Sequence, residues 1–212
     1  MMHDLSAKVA IVTGAGHGAG QAIAHALAAA GARVAVNDLN PDRAYRVAND
    51  IRQAGGAAIA VTADVSNRFQ CVHLIETTRL EWNRLDILIN HAAIAPKASV
   101  LRMDEWELMR VLDVNIKGVF FMCQLVGRVM SDQRRADPTF SGLMINLVAP
   151  EPEEAGRAAY AATQAAVPAF GRACAREFGP LGIRVLTLVA PPSDEETAAA
   201  IMKETRDWRL GD

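Results

Sequence analysis

Cysteine and aromatic residues are scarce in this chain of 212 residues, which has three cysteines and 5% aromatic side chains. Cys71, Cys123 and Cys174 lie far apart, so no two of them have the short spacing of a metal-binding pair. Their odd number argues against a framework of disulfide bonds. We therefore predict three buried free thiols in a reducing compartment, and no metal site.

The chain also lacks an excess of one charge and any long hydrophobic run. Its net charge of −2 predicts neither a nucleic-acid partner nor an anionic membrane partner. No apolar run reaches the roughly 18 residues of a membrane span, and the first eight residues lack a signal-peptide pattern. With 51% hydrophobic and 22% charged residues, the sequence predicts a cytoplasmic globular protein with a single domain over 1–212.

Short apolar runs alternate with helical patterns along the chain. The apolar runs lie at 8–13, 33–37, 57–62, 85–90, 143–148 and 183–190. The helical patterns lie at about 18–30, 41–54, 67–82, 104–132, 157–178 and 194–207. Continuous apolar runs are typical of parallel strands that are buried on both faces. The alternation predicts a doubly wound, Rossmann-like α/β fold, with six parallel strands between two helical layers.

A glycine-rich turn joins the first strand to the first helix. The stretch 8–20 reads KVAIVTGAGHGAG, with glycines at Gly14, Gly18 and Gly20. Glycines let the backbone turn tightly, and the helix N-terminus that follows offers free N–H groups and partial positive charge to a diphosphate. The spacing differs from the common G-x-G-x-x-G dinucleotide fingerprint. An ordinary strand–helix turn is therefore the alternative interpretation.

Carboxylates follow the second and third strands. Asp38 could accept both ribose hydroxyls of an adenosine and repel a 2′-phosphate, which favours NAD over NADP. His17 replaces the cation that would help to hold that phosphate. The alternative is that 37–41 is a strand-ending turn that caps the next helix. Asp64 could contact an adenine amino group, or it could serve only as a turn or cap residue.

Taken together, these motifs resemble those of the short-chain dehydrogenases/reductases, over positions 8 to about 190. The residues that carry the resemblance are Thr13, Gly14, Gly18, Gly20, Asp38, Asp64, Val65, Asn90, Ala92, Asn115 and Tyr160. The resemblance implies a possible NAD site formed by Gly14, Gly18, Gly20, Asp38, Asp64, Val65, Asn90 and Ala92. It also implies an Asn-Ser-Tyr-Lys group that moves a hydride and a proton between the cofactor and an alcohol or carbonyl. Ala93 departs from the glycine that is usual in the family.

The catalytic part of the pattern is degenerate. Tyr160 matches the family's tyrosine, but Gln164 stands where the family has lysine, and Ala149 aligns with its serine. The lysine matters because a phenol has a pKa near 10, and a neighbouring ammonium lowers it. Loss of one positioned donor typically costs about 10²–10³ in rate, so we expect a poor catalyst.

Asn115 and Tyr160, the two catalytic positions of the family that the sequence retains, each have an alternative interpretation. Asn115 matches the family's catalytic asparagine, but it could instead be a satisfied polar residue at a helix kink. Tyr160 could retain residual catalytic use or be an amphipathic aromatic residue beside a pocket. Three acidic residues of the intervening loop, Glu151, Glu153 and Glu154, are predicted to lie on a solvated face, because a carboxylate near the phenol would raise its pKa.

After the sixth strand the pattern departs from the family again. The family's Pro-Gly is Pro191-Pro192 here, and 193–206 reads as a helix whose cap and acidic first turn begin at Ser193. No strand pattern follows residue 207. We therefore expect the last strand and the substrate-covering lid of the family to be missing, and the sixth strand to form an apolar sheet edge.

Two functional hypotheses follow. The first is a catalytically impaired subunit, or pseudoenzyme, of a hetero-oligomeric NAD-dependent alcohol or hydroxyacyl dehydrogenase. The alternative is an active NAD-dependent oxidoreductase that interconverts an alcohol and a carbonyl through Tyr160. On the family's pattern, helices near 104–132 and 157–178 would bind a related active subunit or a second copy. The alanine content of 157–178 could also reflect helix propensity alone.

Overall fold

The computed structural model of the chain describes residues 4–210, without the side chains of residues 209 and 210. It has one sheet of six parallel strands in the order β3-β2-β1-β4-β5-β6. The strands are β1 (Val9–Val12), β2 (Arg33–Asp38), β3 (Ala57–Thr62), β4 (Ile87–Asn90), β5 (Gly142–Val148) and β6 (Ile183–Val189). The doubly wound parallel fold predicted from the alternating pattern is confirmed.

Helices cover both faces of the sheet. They are α1 (Gly18–Ala29), α2 (Pro41–Gln53), α3 (Arg68–Trp82), α4 (Glu105–Leu112), α5 (Val119–Ala136), α6 (Ala158–Phe178) and α7 (Asp194–Leu210), with a 3₁₀ turn at Gly179–Leu181. Two separate apolar clusters form, one on each face of the sheet. All residues of β1 and β4 are buried, as their continuous apolar sequences predict.

The strand order reverses between β1 and β4. β1 pairs with β2 on one side and with β4 on the other, so the connections on the two sides leave in opposite directions. A crevice opens at the carboxyl ends of the strands at such a point, and ligands of open α/β sheets bind there. The glycine turn after β1 and the loop after β4 lie at this crevice.

The single long helix expected at 104–132 is interrupted. α4 leads into a π-helical segment, Asp113–Gly118, which continues directly into α5. The wider turn of a π-helix displaces backbone and side chains from the regular helical pattern, and such segments are frequent at functional sites. Asn115 lies inside this segment.

The sixth strand forms one edge of the sheet. Among residues 4–210, β6 pairs only with β5, and Val189 at its end is 62% exposed. Only four residues separate β6 from α7, which then packs against α1. The predicted apolar edge is confirmed, and the short connection leaves no room for a lid between these two elements.

The three cysteines are buried and free, as predicted. Their compartment stays a prediction. Within the described part of the chain, no helix combines the length and apolarity that crossing a membrane requires.

Candidate active site

A cleft of about 440 Å³ lies over the carboxyl ends of the strands. Of the residues singled out in the sequence, those that line it are Gly14, His17, Asp38, Asp64, Val65, Ala92, Ala93, Ala149, Tyr160 and Gln164. The cleft therefore joins two groups of residues that are distant in sequence: the glycine turn with its carboxylates, and the degenerate catalytic positions.

The glycine turn is packed so closely that side chains are excluded. Gly14 has a φ of +65°, and a Cβ there would lie 2.9 Å from the Cα of Ala92. Gly18 also has a positive φ, of +56°. A Cβ at Gly20 would lie 2.6 Å from Nδ1 of His91. Gly14 and Gly20 therefore leave no space for a side chain, and the N-terminus of α1 beside them is the kind of site that binds a diphosphate.

Thr13 and His91 hold the glycine turn against the loop after β4. Neither side chain was assigned a role from the sequence. The Thr13 hydroxyl accepts hydrogen bonds from the N–H groups of His91, at 3.0 Å, and Ala92, at 3.1 Å. Nδ1 of His91 lies 3.2 Å from the carbonyl oxygen of Gly14. Burial lowers the pKa of His91, which favours the neutral ring. The one sequence signal for this contact was a residue with a hydroxyl group directly after β1.

Asp38 has structural partners as well as a place on the cleft wall. Its Oδ2 accepts the N–H of Gly16 at 3.0 Å, and its Oδ1 accepts the N–H of Asn40 at 2.9 Å. The cap of α2 is Asn40, whose Oδ1 accepts the N–H of Arg43. The strand-ending turn and a cleft-facing carboxylate therefore coexist. Arg43, which the sequence analysis missed, lines the cleft on the same side.

Asp64 lies in a comparable turn after β3. Its Oδ1 accepts the hydroxyl of Ser66 at 2.6 Å and the N–H of Ser66 at 2.9 Å, and Nη1 of Arg110 lies 3.5 Å from its Oδ2. Burial opposes ionisation, but these hydrogen bonds and the arginine outweigh it, so the pKa of Asp64 is below its usual value. Arg110 also lines the cleft, and no motif in the sequence pointed to it.

Asn90, like Gly18 and Gly20, is not among the predicted nucleotide residues that line the cleft. Its Nδ2 donates to Oδ1 of Asn146 at 2.9 Å and to the sulfur of Cys123 at 3.3 Å. The side chain is buried among these groups and ties β4 to β5 and α5. Its position is that of a residue that supports the sheet under the cleft.

Asn115 is fully engaged with neighbouring protein groups. Its Oδ1 accepts the N–H of Ile94, and its Nδ2 donates to the carbonyl of Ile94, each at 2.9 Å. A third bond, 3.0 Å long, runs from Nδ2 to the hydroxyl of Thr163. The side chain thus fastens the π-helical segment to the loop after β4 and to α6, which matches the interpretation as a satisfied polar residue at a helix irregularity.

The two degenerate catalytic positions are bonded to each other. The backbone N–H of Ala149 donates to Oε1 of Gln164 at 2.8 Å, which links the end of β5 to α6. Gln164 is buried, and both residues line the cleft. Because Gln164 is uncharged and Ala149 has no hydroxyl, this part of the wall supplies neither a cation nor the serine's proton donor.

Tyr160 lies on the cleft wall beside them. Burial raises the pKa of its phenol, and the charge of Arg157 opposes that effect without cancelling it. Arg157 is committed elsewhere, since it donates to the carbonyl of Ala95 and pairs with Glu154 at 3.6 Å. The phenol is therefore protonated at neutral pH.

Two minor expectations are also resolved. Ala93 is not among the residues with positive φ, so its methyl group is accommodated without backbone strain. The acidic residues Glu151, Glu153 and Glu154 are exposed, as predicted.

Comparison with known protein families identifies the chain's relatives. The family model for short chain dehydrogenase matches residues 8–207. A 3-oxoacyl-[acyl-carrier-protein] reductase of Synechocystis sp. is 39% identical over 193 residues, covering 90% of this chain and 75% of the relative. A D-threitol dehydrogenase of Mycolicibacterium smegmatis is 34% identical over 188 residues, covering 87% of this chain and 69% of the relative.

Solved structures give the same result. A short chain dehydrogenase from Mycobacterium avium superposes with a TM-score of 0.89 at 28% identity, covering 98% of this chain and 81% of that one. A 3-ketoacyl-(acyl-carrier-protein) reductase from Brucella melitensis, described as complexed with NADH, gives a TM-score of 0.81 at 31% identity, covering 88% of this chain and 76% of that one. The chain belongs to the short-chain dehydrogenase/reductase family of oxidoreductases.

Proposed function

We propose that the cleft binds a nicotinamide dinucleotide and prefers NAD to NADP. The glycine turn, which leaves no space for a Cβ at Gly14 or Gly20 and lies at the start of α1, supports a diphosphate site. The carboxylate of Asp38 on the cleft wall supports recognition of a ribose without a 2′-phosphate. The NADH described in the Brucella relative supports the same class of cofactor. When bound, such a cofactor supplies the group that accepts or gives a hydride.

We further propose that the subunit is catalytically impaired. The observation that carries this proposal is the 2.8 Å bond from the Ala149 N–H to Gln164, because it closes the place where the family's serine and lysine would act. Without an ammonium nearby, Tyr160 keeps its proton at neutral pH and is a weak general base for alcohol oxidation.

The role that fits such a subunit is assembly with a related, active dehydrogenase subunit in the cytoplasm. α5 and α6 would form the contact, as the family resemblance implies. Phe120 on α5 and Phe170 on α6 pack at a ring-centroid distance of 5.8 Å beside a groove between the two helices. Phe120 is 44% exposed, so a partner helix could cover an aromatic surface there. A second copy of this chain is the alternative occupant.

One observation favours an active enzyme as the second candidate. Tyr160 lines the cleft, and the acidic residues of the preceding loop do not appear among the charges that raise its pKa. An alcohol–carbonyl interconversion through this phenol would therefore need only a source of positive charge that a substrate or partner could supply.

Binding and turnover measured on the same purified sample separate the two candidates. We expect calorimetry to detect NAD binding, while assays with alcohols plus NAD, and with ketones plus NADH, detect no turnover. Turnover at the ordinary rate of about 1–10³ s⁻¹ would establish the active alternative instead. Absence of binding of either dinucleotide would contradict the proposed cofactor site.

Purification from the native source tests the proposed partner. We expect a second dehydrogenase-like polypeptide to accompany this chain in a fixed ratio, as measured by native mass spectrometry. Recovery of this chain alone, as a monomer or as a homo-oligomer, would contradict the hetero-oligomer.

A further inference from the structure

The N-terminus of α7 approaches the glycine turn. The four residues between β6 and α7 return the chain toward α1, so that Asp194, the first residue of α7, lies close to Gly18 at the start of α1. Its two carboxylate oxygens lie 3.7 and 3.8 Å from the position that a Cβ on Gly18 would occupy. A negative charge from a distant part of the sequence therefore stands beside the backbone that forms the diphosphate site.

The beginning of α1 has no anionic or capping group of its own. Its N-cap residue, His17, makes no side-chain capping bond, and its first turn contains no acidic residue. The first N–H groups of a helix have no partners within the helix, and the helix dipole adds partial positive charge there. An anion near Gly18 is consequently favourable, whether it comes from a ligand or from the protein.

Asp194 is not needed to cap its own helix. Ser193 and Glu196 do this reciprocally: the Ser193 hydroxyl accepts the N–H of Glu196 at 3.2 Å, and Glu196 accepts the N–H of Ser193 at 3.3 Å. Among residues 4–210, Asp194 has no ion-pair partner within 4.0 Å. The Asp194 carboxylate thus makes no specific bond within this range, and it lies only in the fields of the glycine turn, the neighbouring His91 and the N-terminus of its own helix.

Asp194 is also held firmly in place. Thr197, one turn along α7, is buried, and its hydroxyl bonds the carbonyls of Ser193 at 2.9 Å and Pro191 at 3.3 Å. Ala198 and Ile201 are buried in the apolar cluster that α7 shares with α1. Because α7 is packed along α1, the carboxylate stays near Gly18 in the folded protein.

We propose that Asp194 acts as an internal anion that competes with the cofactor's diphosphate and so weakens dinucleotide binding. The Asp194 carboxylate stabilises the N-terminus of α1 when the cleft is empty and repels the diphosphate when a dinucleotide enters. This inference rests on the proposed nucleotide-binding function and names the residue that limits its affinity. It makes Asp194 a determinant of ligand class, since a ligand without phosphate escapes the repulsion.

The test compares Asp194→Asn with the neighbouring, exposed Glu195→Gln as a matched control. Calorimetry would measure the binding of NAD, ADP-ribose and adenosine to the wild type and to both variants. We expect Asp194→Asn to bind NAD and ADP-ribose about fivefold more tightly at low salt, from one charge repulsion at a partly solvated site, with adenosine unchanged. This gain in affinity should become smaller as salt is added, because salt screens the charge repulsion.

A second measurement, of thermal stability, should change in the opposite direction from affinity. Because an anion at a helix N-terminus is stabilising, Asp194→Asn should lower the melting temperature of the ligand-free protein by about 1–3 °C. Tighter dinucleotide binding together with lower stability is a combination that a merely structural residue would not produce. Glu195→Gln should change both quantities less.

Other outcomes would overturn the proposal in identifiable ways. Equal NAD affinity of wild type and Asp194→Asn would remove Asp194 from the diphosphate site while leaving the proposed function intact. A parallel gain for adenosine would mean that the variant reshapes the whole cleft. If neither NAD nor adenosine bound either protein, the proposed function would fail, and this inference with it.

Discussion

The two ends of the cleft differ in what their side chains are bonded to. At the end formed by β1, β2 and β3, the glycine turn leaves a concave backbone, and the Asp38 carboxylate reaches the cleft wall. At the end formed by β5 and α6, the Ala149 N–H donates to Gln164, while Nδ2 of Asn146 on β5 is buried without a partner among the described residues. The first end therefore carries glycines and carboxylates of the kind proposed to bind a dinucleotide, whereas the second has neither a hydroxyl at Ala149 nor a cation at Gln164.

The contrast shows that the fold and its glycine turn form with no hydroxyl at position 149 and no cation at position 164. Glycine packing in the turn is part of the fold itself, because β1, the following loop and the loop after β4 meet there. The serine and lysine positions have no comparable part in the packing, since a single hydrogen bond between the Ala149 N–H and Gln164 links β5 and α6 there.

The largest expected effect comes from restoring the catalytic end. Ala149→Ser combined with Gln164→Lys should raise any trace NAD-linked turnover by about 10²–10³-fold, because it supplies a hydroxyl donor and a cation beside Tyr160. Steady-state assays on matched preparations would measure it. Adding Tyr160→Phe to the double variant is the control and should abolish the gain. No gain in the double variant would mean that the substrate side of the cleft is lost as well.

The next effect concerns the packing of the turn. Gly20→Ala should destabilise the protein by about 2–3 kcal/mol, since its Cβ would meet the backbone of Gly14 and the ring of His91. Gly179→Ala is the control, because no atom lies within 4 Å of the Cβ it would add. Chemical denaturation would measure both. Equal stabilities of the two variants would refute the close packing described for the turn.

A smaller effect is expected at Asp38. Asp38→Ala should weaken NAD binding about tenfold through the loss of a charge-assisted hydrogen bond to ribose, and should weaken NADP binding less. Calorimetry with both dinucleotides would show it, with the exposed Asp42→Ala on α2 as control. Unchanged NAD affinity would exclude Asp38 from the site.

The smallest effect concerns Asp64 and depends on pH. Because its pKa is lowered in the folded protein, the ionised carboxylate stabilises the fold above its ordinary pKa of 3.8, and this contribution is lost as the pH falls through the lowered value. Asp64→Asn should cost less than about 1 kcal/mol at neutral pH. The difference in unfolding free energy should narrow in acid, and a difference that does not depend on pH would contradict this origin.

Much of the fold was predictable because its signals are local. The apolar run 33–37 and the glycines after 8–13 depend on short-range periodicity and turn chemistry, and β2 and α1 lie where these signals put them. The π-helical segment at Asp113–Gly118 was missed, since its sequence continues the helical pattern on both sides. Degeneracy at 149 and 164 was visible in the sequence, but the bond between them was not.

The other missed features depend on contacts between distant segments. The Gln164–Ala149 bond needs α6 and the end of β5 side by side, and the approach of Asp194 to Gly18 needs α7 packed along α1. Asn90 illustrates the same point, because its partner Asn146 lies 56 positions away in the sequence. Its role beside a cofactor stays a prediction.

The ionisation of Tyr160 tests the central claim most directly. The chain has only two tyrosines, so Tyr45→Phe leaves Tyr160 as the single phenol, and ultraviolet difference absorbance can follow its titration. Circular dichroism at each pH would confirm that the protein stays folded. We expect phenolate to form only above the ordinary pKa of about 10, and at lower pH once Gln164→Lys is added. Phenolate formation near neutral pH without that lysine would contradict the account.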